Sequence, residues 1–179
     1  MKARRVKGLD AQRSVARNTR RIVRTRLDEV LSFDPAVRDP SKAKALHDLR
    51  IACKRLRYVL EITGHVFGPA GAAAEKEARW LQDVLGEIHD CDVLRPRIER
   101  HVETLRESDA RALEGLVKGD LDGLAAALRR APNRTAYRGL GALESAVVAR
   151  RALLYERFLG RWLGLVEDGF APGLEPQLN

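Results

Sequence analysis

His47, Arg50, Lys54, Arg57 and Glu61 follow one another at alternating spacings of three and four residues. At about 100° per residue these positions form one polar ribbon on a helix. All but Glu61 can contact an anion. Leu46, Leu49, Cys53, Leu56 and Leu60 keep the same spacing beside it, an apolar stripe that must face a core. Arg13, Arg17, Arg20 and Arg24 line up in the same way nearer the N-terminus, with Val15, Ile22, Val23, Leu27 and Val30 on another face. Like charges at these spacings repel by a few tenths of a kcal/mol per pair, about 0.2–0.5. An aligned row of cations is therefore unfavourable unless something compensates it, and a linear polyanion would. The planar fork of Arg suits bidentate contact with phosphate oxygens. The 33 basic against 25 acidic residues, a net +8, favour the same class of partner. The competing reading is a solvated face balanced by acids elsewhere, but few acids lie near the first row.

Other groups carry less. Arg150, Arg157 and Arg161 share one side of a C-terminal helix, and Arg151 falls within the apolar stripe of Leu140, Leu143, Val147, Leu154, Phe158 and Trp162. A buried Arg needs an anion, a carboxylate such as Glu144 or Glu156, or a path by which to snorkel. Tyr58, Trp80 and Trp162 read as core. The pairs His47-Asp48 and His89-Asp90 invite a metal phosphohydrolase, but such a site needs further ligands and only His65 and His101 remain. His89, Cys91 and Asp92 are too close for a zinc signature and read as a helix-capping turn. Neither catalytic residues nor a metal or cofactor is expected, and Cys53 and Cys91 make no disulfide framework.

The elements that must position these residues are helices, since the apolar pattern has period 3.6 and only five Ile and five Thr are present to feed strands. A first helix is expected over 9–32 and a turn over 33–40. A second helix, capped by Ser41, should reach Phe67. The Gly68-Pro69-Ala70-Gly71 segment should break it. A third is expected over 72–88 with Gly86 marking the coming break. A fourth should be capped by Asp90 or Asp92 with Pro96 in its first turn. Shorter helices are expected over 109–117 and 121–130, and Pro132 precedes a long last helix ending before Gly169. The fold class is thus all-α, a compact bundle of about six to seven helices over residues 1–170, with 171–179 as a loose tail.

The segment 46–61, LHDLRIACKRLRYVLE, resembles the hallmark helix of the CHAD family, the conserved histidine α-helical domain. His47, Arg50, Lys54, Arg57 and Tyr58 stand in the motif positions. A second segment, LQDVLGEIHDCDVL, resembles that family's Leu-Gly, acid-containing turn through Leu85, Gly86, Asp90 and Val93. The resemblance covers the chain by helix layout, although residues 108–170 match only in pattern and are short for the family. It implies two bundle-like halves around a basic channel that binds inorganic polyphosphate, the ligand class that the ribbons indicate on their own. The family often accompanies a triphosphate-processing tunnel domain with a Glu-x-Glu-x-Lys strand. Here Glu75-Lys76-Glu77-Ala78-Arg79 falls on an expected helix, so that domain is not expected.

A nucleic-acid-binding protein is the main alternative, because phosphate backbones attract the same charges. Aromatics are only 5%, and no helix-turn-helix, RNA-binding sheet or stacking platform is evident. No run approaches the ~18 apolar residues of a membrane span, and the first helix lacks aromatic anchors for a membrane surface. The Arg-rich start mimics a mitochondrial presequence but reads as the first helix. The expectation is a non-enzymatic, cytoplasmic module that binds inorganic polyphosphate and sits on polyphosphate granules, with granule proteins as further partners. His47, Arg50, Lys54 and Arg57 form the site, Arg13, Arg17, Arg20 and Arg24 its facing wall, and Arg150 and Arg157 its least secure members.

Overall fold

Ser14 starts the first helix. Its hydroxyl accepts the Arg17 N–H at 3.3 Å, the side-chain cap that supplies an otherwise unpaired helical donor. Helix α1 therefore runs Val15–Leu31 rather than from residue 9. Upstream, Asp10 takes the Gln12 N–H at 2.9 Å and the Arg13 Nε at 3.1 Å, a local carboxylate turn that competes with helix. This computed structural model describes residues 2–117 and 123–178, and the fold is all-α, with no strand among them.

Helix α2, Ala43–Thr63, begins without the expected Ser41 cap. Ser41 instead donates both its Oγ and its N–H to Asp39 Oδ1, at 2.6 and 2.9 Å, and these bonds hold the Asp39 carboxyl below the usual carboxylate range. A tight turn over Gly64–Phe67 replaces the expected last turn of this helix. The expected break at 68–71 is in fact the start of α3, Gly68–Val117. Gly68 adopts φ +55, which L side chains avoid. A Cβ on Gly71 would lie 2.3 Å from the Gly64 carbonyl oxygen, so that pair marks a close backbone approach.

Helix α3 is 50 residues long and takes in three of the expected helices. Ala74, Ala78, Leu81, Leu85, Ile88 and Cys91 are buried at spacings of three and four straight through the expected break. That continuous apolar stripe outweighs Gly86, a cost of about 1 kcal/mol, and Pro96, which lies inside the helix at a cost of about 3 kcal/mol. Asp90 and Asp92 cap nothing. The short α4, Leu124–Leu128, lies within the expected 121–130, of which Leu121 and Asp122 fall outside the described residues. Helix α5, Ala136–Glu167, follows Pro132 as expected and ends before Gly169, whose φ is +91. Five α-helices thus stand among the described residues, where six or seven were expected.

The chain divides into two compact units, 1–89 with 153–179, and 90–152. In the first unit α1, α2, the start of α3 and the end of α5 share one core, with Phe158 and Trp162 fully buried. Trp162 Nε1 donates to Asp34 Oδ1 at 3.0 Å and Tyr155 Oη to the Val37 carbonyl at 3.1 Å, fixing α5 to the turn between α1 and α2. Glu29, 2% exposed, receives Arg26 at 2.5 Å and Arg55 at 2.9 Å. The C-terminal segment expected to be loose is built into this core, with Ala171, Leu174 and Leu178 buried after Phe170, because these three apolar residues have a face to cover.

In the second unit the buried Asp109 accepts the Asn133 backbone N–H at 3.1 Å, Asn133 Nδ2 at 2.9 Å and Tyr137 Oη at 2.8 Å. Arg151 pairs with Asp92 at 2.5 Å, a carboxylate that the sequence reading did not name. A carboxylate of its own unit thus answers the need for an anion on that stripe.

Candidate anion-binding site

Three contacts set the register between α2 and α3. Arg79 reaches Glu61 at 2.9 Å. Arg50 Nε would lie 3.4 Å from a Cβ on Gly86. The His47 and His89 rings are 4.6 Å apart at 48°. As the α2 number falls from 61 to 47 the α3 number rises from 79 to 89, so the two helices run antiparallel. Gln82, Gly86 and His89 occur at spacings of four and three, so they share the α3 face along this seam. Gly86 is thus not a helix stop: its missing side chain leaves room for the Arg50 guanidinium. His89 is not a capping residue but the neighbour of His47.

The seam places the α2 row under unusual electrostatic conditions. Among the described residues, the buried side-chain polar atoms without a hydrogen-bond partner are Arg20 Nε, His47 Nδ1, Arg50 Nε, Arg57 Nε and Gln82 Oε1. An unsatisfied buried polar group costs about 1–3 kcal/mol. Three of the five belong to the α2 row and one to the α3 face of the same seam. Arg57 Nε lies 3.1 Å from Glu61 Oε1, close enough for charge attraction but off the line of its N–H, which stays unbonded. Burial, and after it the nearby His89, hold the His47 imidazole below its ordinary pKa, against an opposing pull from Asp48. Asp48 itself is kept ionised, held low by a 2.6 Å bond from Lys44 Nζ.

Lys54 is exposed, as expected of a solvent-facing row member. Tyr58 is not core: it is 44% exposed, with the Arg57 guanidinium 4.7 Å and Lys54 Nζ 5.7 Å from its ring centroid. Trp162 is core, and Trp80 is half-buried and packed against that core with the Arg157 guanidinium 5.7 Å from its ring. Arg157 therefore sits on the first unit. Arg150 belongs to the second, where it opposes the burial that raises the Cys91 thiol pKa.

The α1 row is placed differently from expectation. Arg13 precedes the helix and pairs with Asp10. Arg17, Arg20 and Arg24 line a cleft of about 710 Å³ with the N-terminal segment and Leu178, and no α2 residue lines it. Glu29 and Arg55 pair across the α1–α2 contact. At about 100° per residue, Arg17, Arg20 and Arg24 lie roughly 120–180° around α1 from Glu29, and Arg50, Lys54 and Arg57 lie roughly 100–160° around α2 from Arg55. Both rows point away from that contact, and the cleft that takes the α1 row has no lining from α2.

Gln82 and His89 are members of the seam that sequence reasoning missed. Their signal was the spacing they share with Gly86, hidden by treating Gly86 as punctuation. Glu75 and Glu77, in the segment compared with a tunnel-domain strand, lie on α3 and pair with Arg79 at 2.7 Å and with Arg161. Among the described residues no group of three or more His, Cys, Asp or Glu side chains is placed to hold a metal ion, and no helix is long and apolar enough to cross a membrane.

Comparison with known proteins meets this geometry from another side. The chain is 32% identical over 139 residues to the uncharacterized protein Rv2226 of Mycobacterium tuberculosis, an alignment over 74% of this chain and 27% of that protein, so the chain spans about a quarter of the relative's length. No solved structure matches significantly. The family model described as CHAD domain matches residues 21–176, a stretch that holds the whole α2–α3 seam. By that match over most of its length, the chain belongs to the CHAD domain family.

Proposed function

We propose that the α2–α3 seam binds inorganic polyphosphate, without chemical conversion, through His47, Arg50, Lys54 and Arg57. The observation that carries this reading is the set of buried, unbonded nitrogens on His47, Arg50 and Arg57. A row of phosphate oxygens supplies acceptors to the row of donors on the helix face, and each such bond is charge-assisted. Gly86 keeps the α3 wall open at Arg50, and Lys54, exposed on the same ribbon, adds a mobile charge at the mouth. With no conversion, the consequence of binding is location: the module holds itself, and whatever it is joined to, on polyphosphate granules.

Replacing Arg50, Lys54 and Arg57 together by Gln removes three charges while preserving length and helix propensity. Charge-assisted contacts are worth about 1.5–3 kcal/mol each. Loss of two should therefore weaken long-chain polyphosphate binding at least tenfold in a titration, with the thermal midpoint little changed. Arg97, Arg130 and Arg138 are exposed on the second unit, and their Gln triple is the control for net charge. Equal loss in both triples would defeat the proposal.

A nucleic-acid reading has one observation in its favour: exposed Tyr58, with two cations against its ring, is a surface on which a base could stack. Tyr58→Leu should leave polyphosphate affinity within about twofold, since a phosphate chain has nothing to stack. Single-stranded DNA outcompeting polyphosphate on the native protein, and losing that advantage in Tyr58→Leu, would replace the first reading by the second.

A further inference from the structure

The N-terminal segment before α1 is not a free end. The Arg4 N–H reaches Glu29 Oε1 at 3.3 Å, Arg4 Nη1 donates to the Asp28 carbonyl at 3.2 Å, and Arg26 Nη2 donates to the Arg4 carbonyl at 2.9 Å. Further along, the Asp10 N–H donates to Asn18 Oδ1 at 3.2 Å and Asn18 Nδ2 returns a bond to the Asp10 carbonyl at 2.8 Å. The segment is thus a strap tied to α1 at both ends. Between the ties Gly8 has φ +73, and a Cβ there would lie 2.4 Å from Arg21 Nη1. The positive φ favours glycine there, and the strap passes close to the Arg21 guanidinium.

Beneath the strap lies the 710 Å³ cleft, which gathers Arg5 and Lys7 from the strap and Arg17, Arg20, Arg21 and Arg24 from α1, against one acid, Asp28. The side-chain nitrogens of Arg5, Lys7, Arg17, Arg20 and Arg21 make no ion pair or hydrogen bond with another described residue, and Arg20 Nε is buried without a partner. Many arginines elsewhere on this molecule are neutralised: Arg26, Arg38, Arg55, Arg79, Arg151 and Arg161 all carry carboxylate partners. A cleft that gathers these five unpaired cations concentrates positive potential where low-dielectric walls focus it. The strap and the first turns of α1 also precede residue 21, where the family match begins.

We infer that this cleft is a second anion site, separate from the α2–α3 seam, that takes a short run of linked phosphates. The seam reading supplies only the ligand class; the cleft stands on its own geometry. Its volume of about 710 Å³ suits a compact segment of chain, and its cations, five of them without a side-chain partner, match the charge of several adjacent phosphates. One long polyphosphate engaging both surfaces would gain avidity without any new contact.

The test is a calorimetric titration of the full chain with tripolyphosphate, scored as equivalents bound. The native protein should bind two, and Arg17→Gln/Arg21→Gln should bind one. Arg5→Gln/Lys7→Gln should weaken the same equivalent at least tenfold, and it serves if the α1 variant fails to fold, because it alters only the strap. The Arg50, Lys54 and Arg57 triple should lose the other equivalent. If that triple keeps both, the seam reading fails while the cleft is still judged by its own variants. One equivalent in the native protein, or two in Arg17→Gln/Arg21→Gln, would overturn the cleft. So would displacement of the cleft-bound equivalent by duplex DNA at equal phosphate concentration, which would make it a nucleic-acid surface.

Discussion

His47 illustrates what the fold does to a single side chain. In the unfolded chain its imidazole titrates near 6.5, and in the fold burial, with His89 beside it, holds that value lower. The sign follows: a group whose charged form is disfavoured in the fold contributes stability present above the unfolded value, lost as pH falls through about 6.5 towards the lowered value. A bound phosphate oxygen reverses the preference, because it favours the imidazolium. Binding should therefore take up a proton, and long-chain polyphosphate affinity should rise as pH falls from about 7.5 to 5.5. In His47→Gln the pH dependence should flatten. Calorimetry in buffers of different ionisation enthalpy reads the uptake directly, and equal proton uptake by the native protein and His47→Gln would remove His47 from the site. The α2 row itself was legible from spacing alone, because the stripe of leucines beside it fixed which face was core. Arg13 was not, since a local turn with Asp10 captured it before the helix began. Tyr58 was misread because residue type outweighed its position on the polar side of that stripe.

Gly86 carries the same lesson one level up. Counted as a helix breaker it implied an end to the third helix, yet the stripe from Ala74 to Cys91 runs past it unbroken, and packing of that kind overrides a propensity of about 1 kcal/mol. A Cβ at Gly86 would make only ordinary contact with Arg50 Nε, at 3.4 Å. Gly86→Ala should accordingly raise stability by about 1 kcal/mol, a few degrees in a thermal melt. Gly86→Leu puts a branched side chain beside the guanidinium and should reduce polyphosphate affinity by tenfold or more. Unchanged affinity in the Leu variant would mean that no ligand approaches Arg50 from the α3 side. Gly71 contrasts with this, for its Cβ would meet the Gly64 carbonyl at 2.3 Å, backbone that cannot swing away. The helix ends were the least legible elements, because Ser41, Asp90 and Asp92 are plausible caps by type, and only tertiary partners decide whether a side chain caps or pairs.

At the scale of the whole molecule a net charge of +8 says little about where an anion binds, since much of the arginine is already matched by carboxylates. What distinguishes local sites from a diffuse field is how affinity responds to salt. A polyanion bound through phosphate contacts releases its condensed cations, and log K falls linearly with log salt by about 0.7 per contact on a flexible single-stranded polyanion. Removing three contacts with the Arg50, Lys54 and Arg57 triple should lessen that slope by about 2. The control triple at Arg97, Arg130 and Arg138 lowers the net charge equally, but those residues touch no proposed contact, so its slope should match that of the native protein. Titrations with long-chain polyphosphate across 50–300 mM salt would measure both, roughly spanning Debye lengths from 14 to 6 Å. If the two slopes fall together, binding follows overall charge and the row on α2 is only a solvated helix face. If the α2 triple alone flattens the response, the charges that matter are the ones the leucine stripe turned towards the seam.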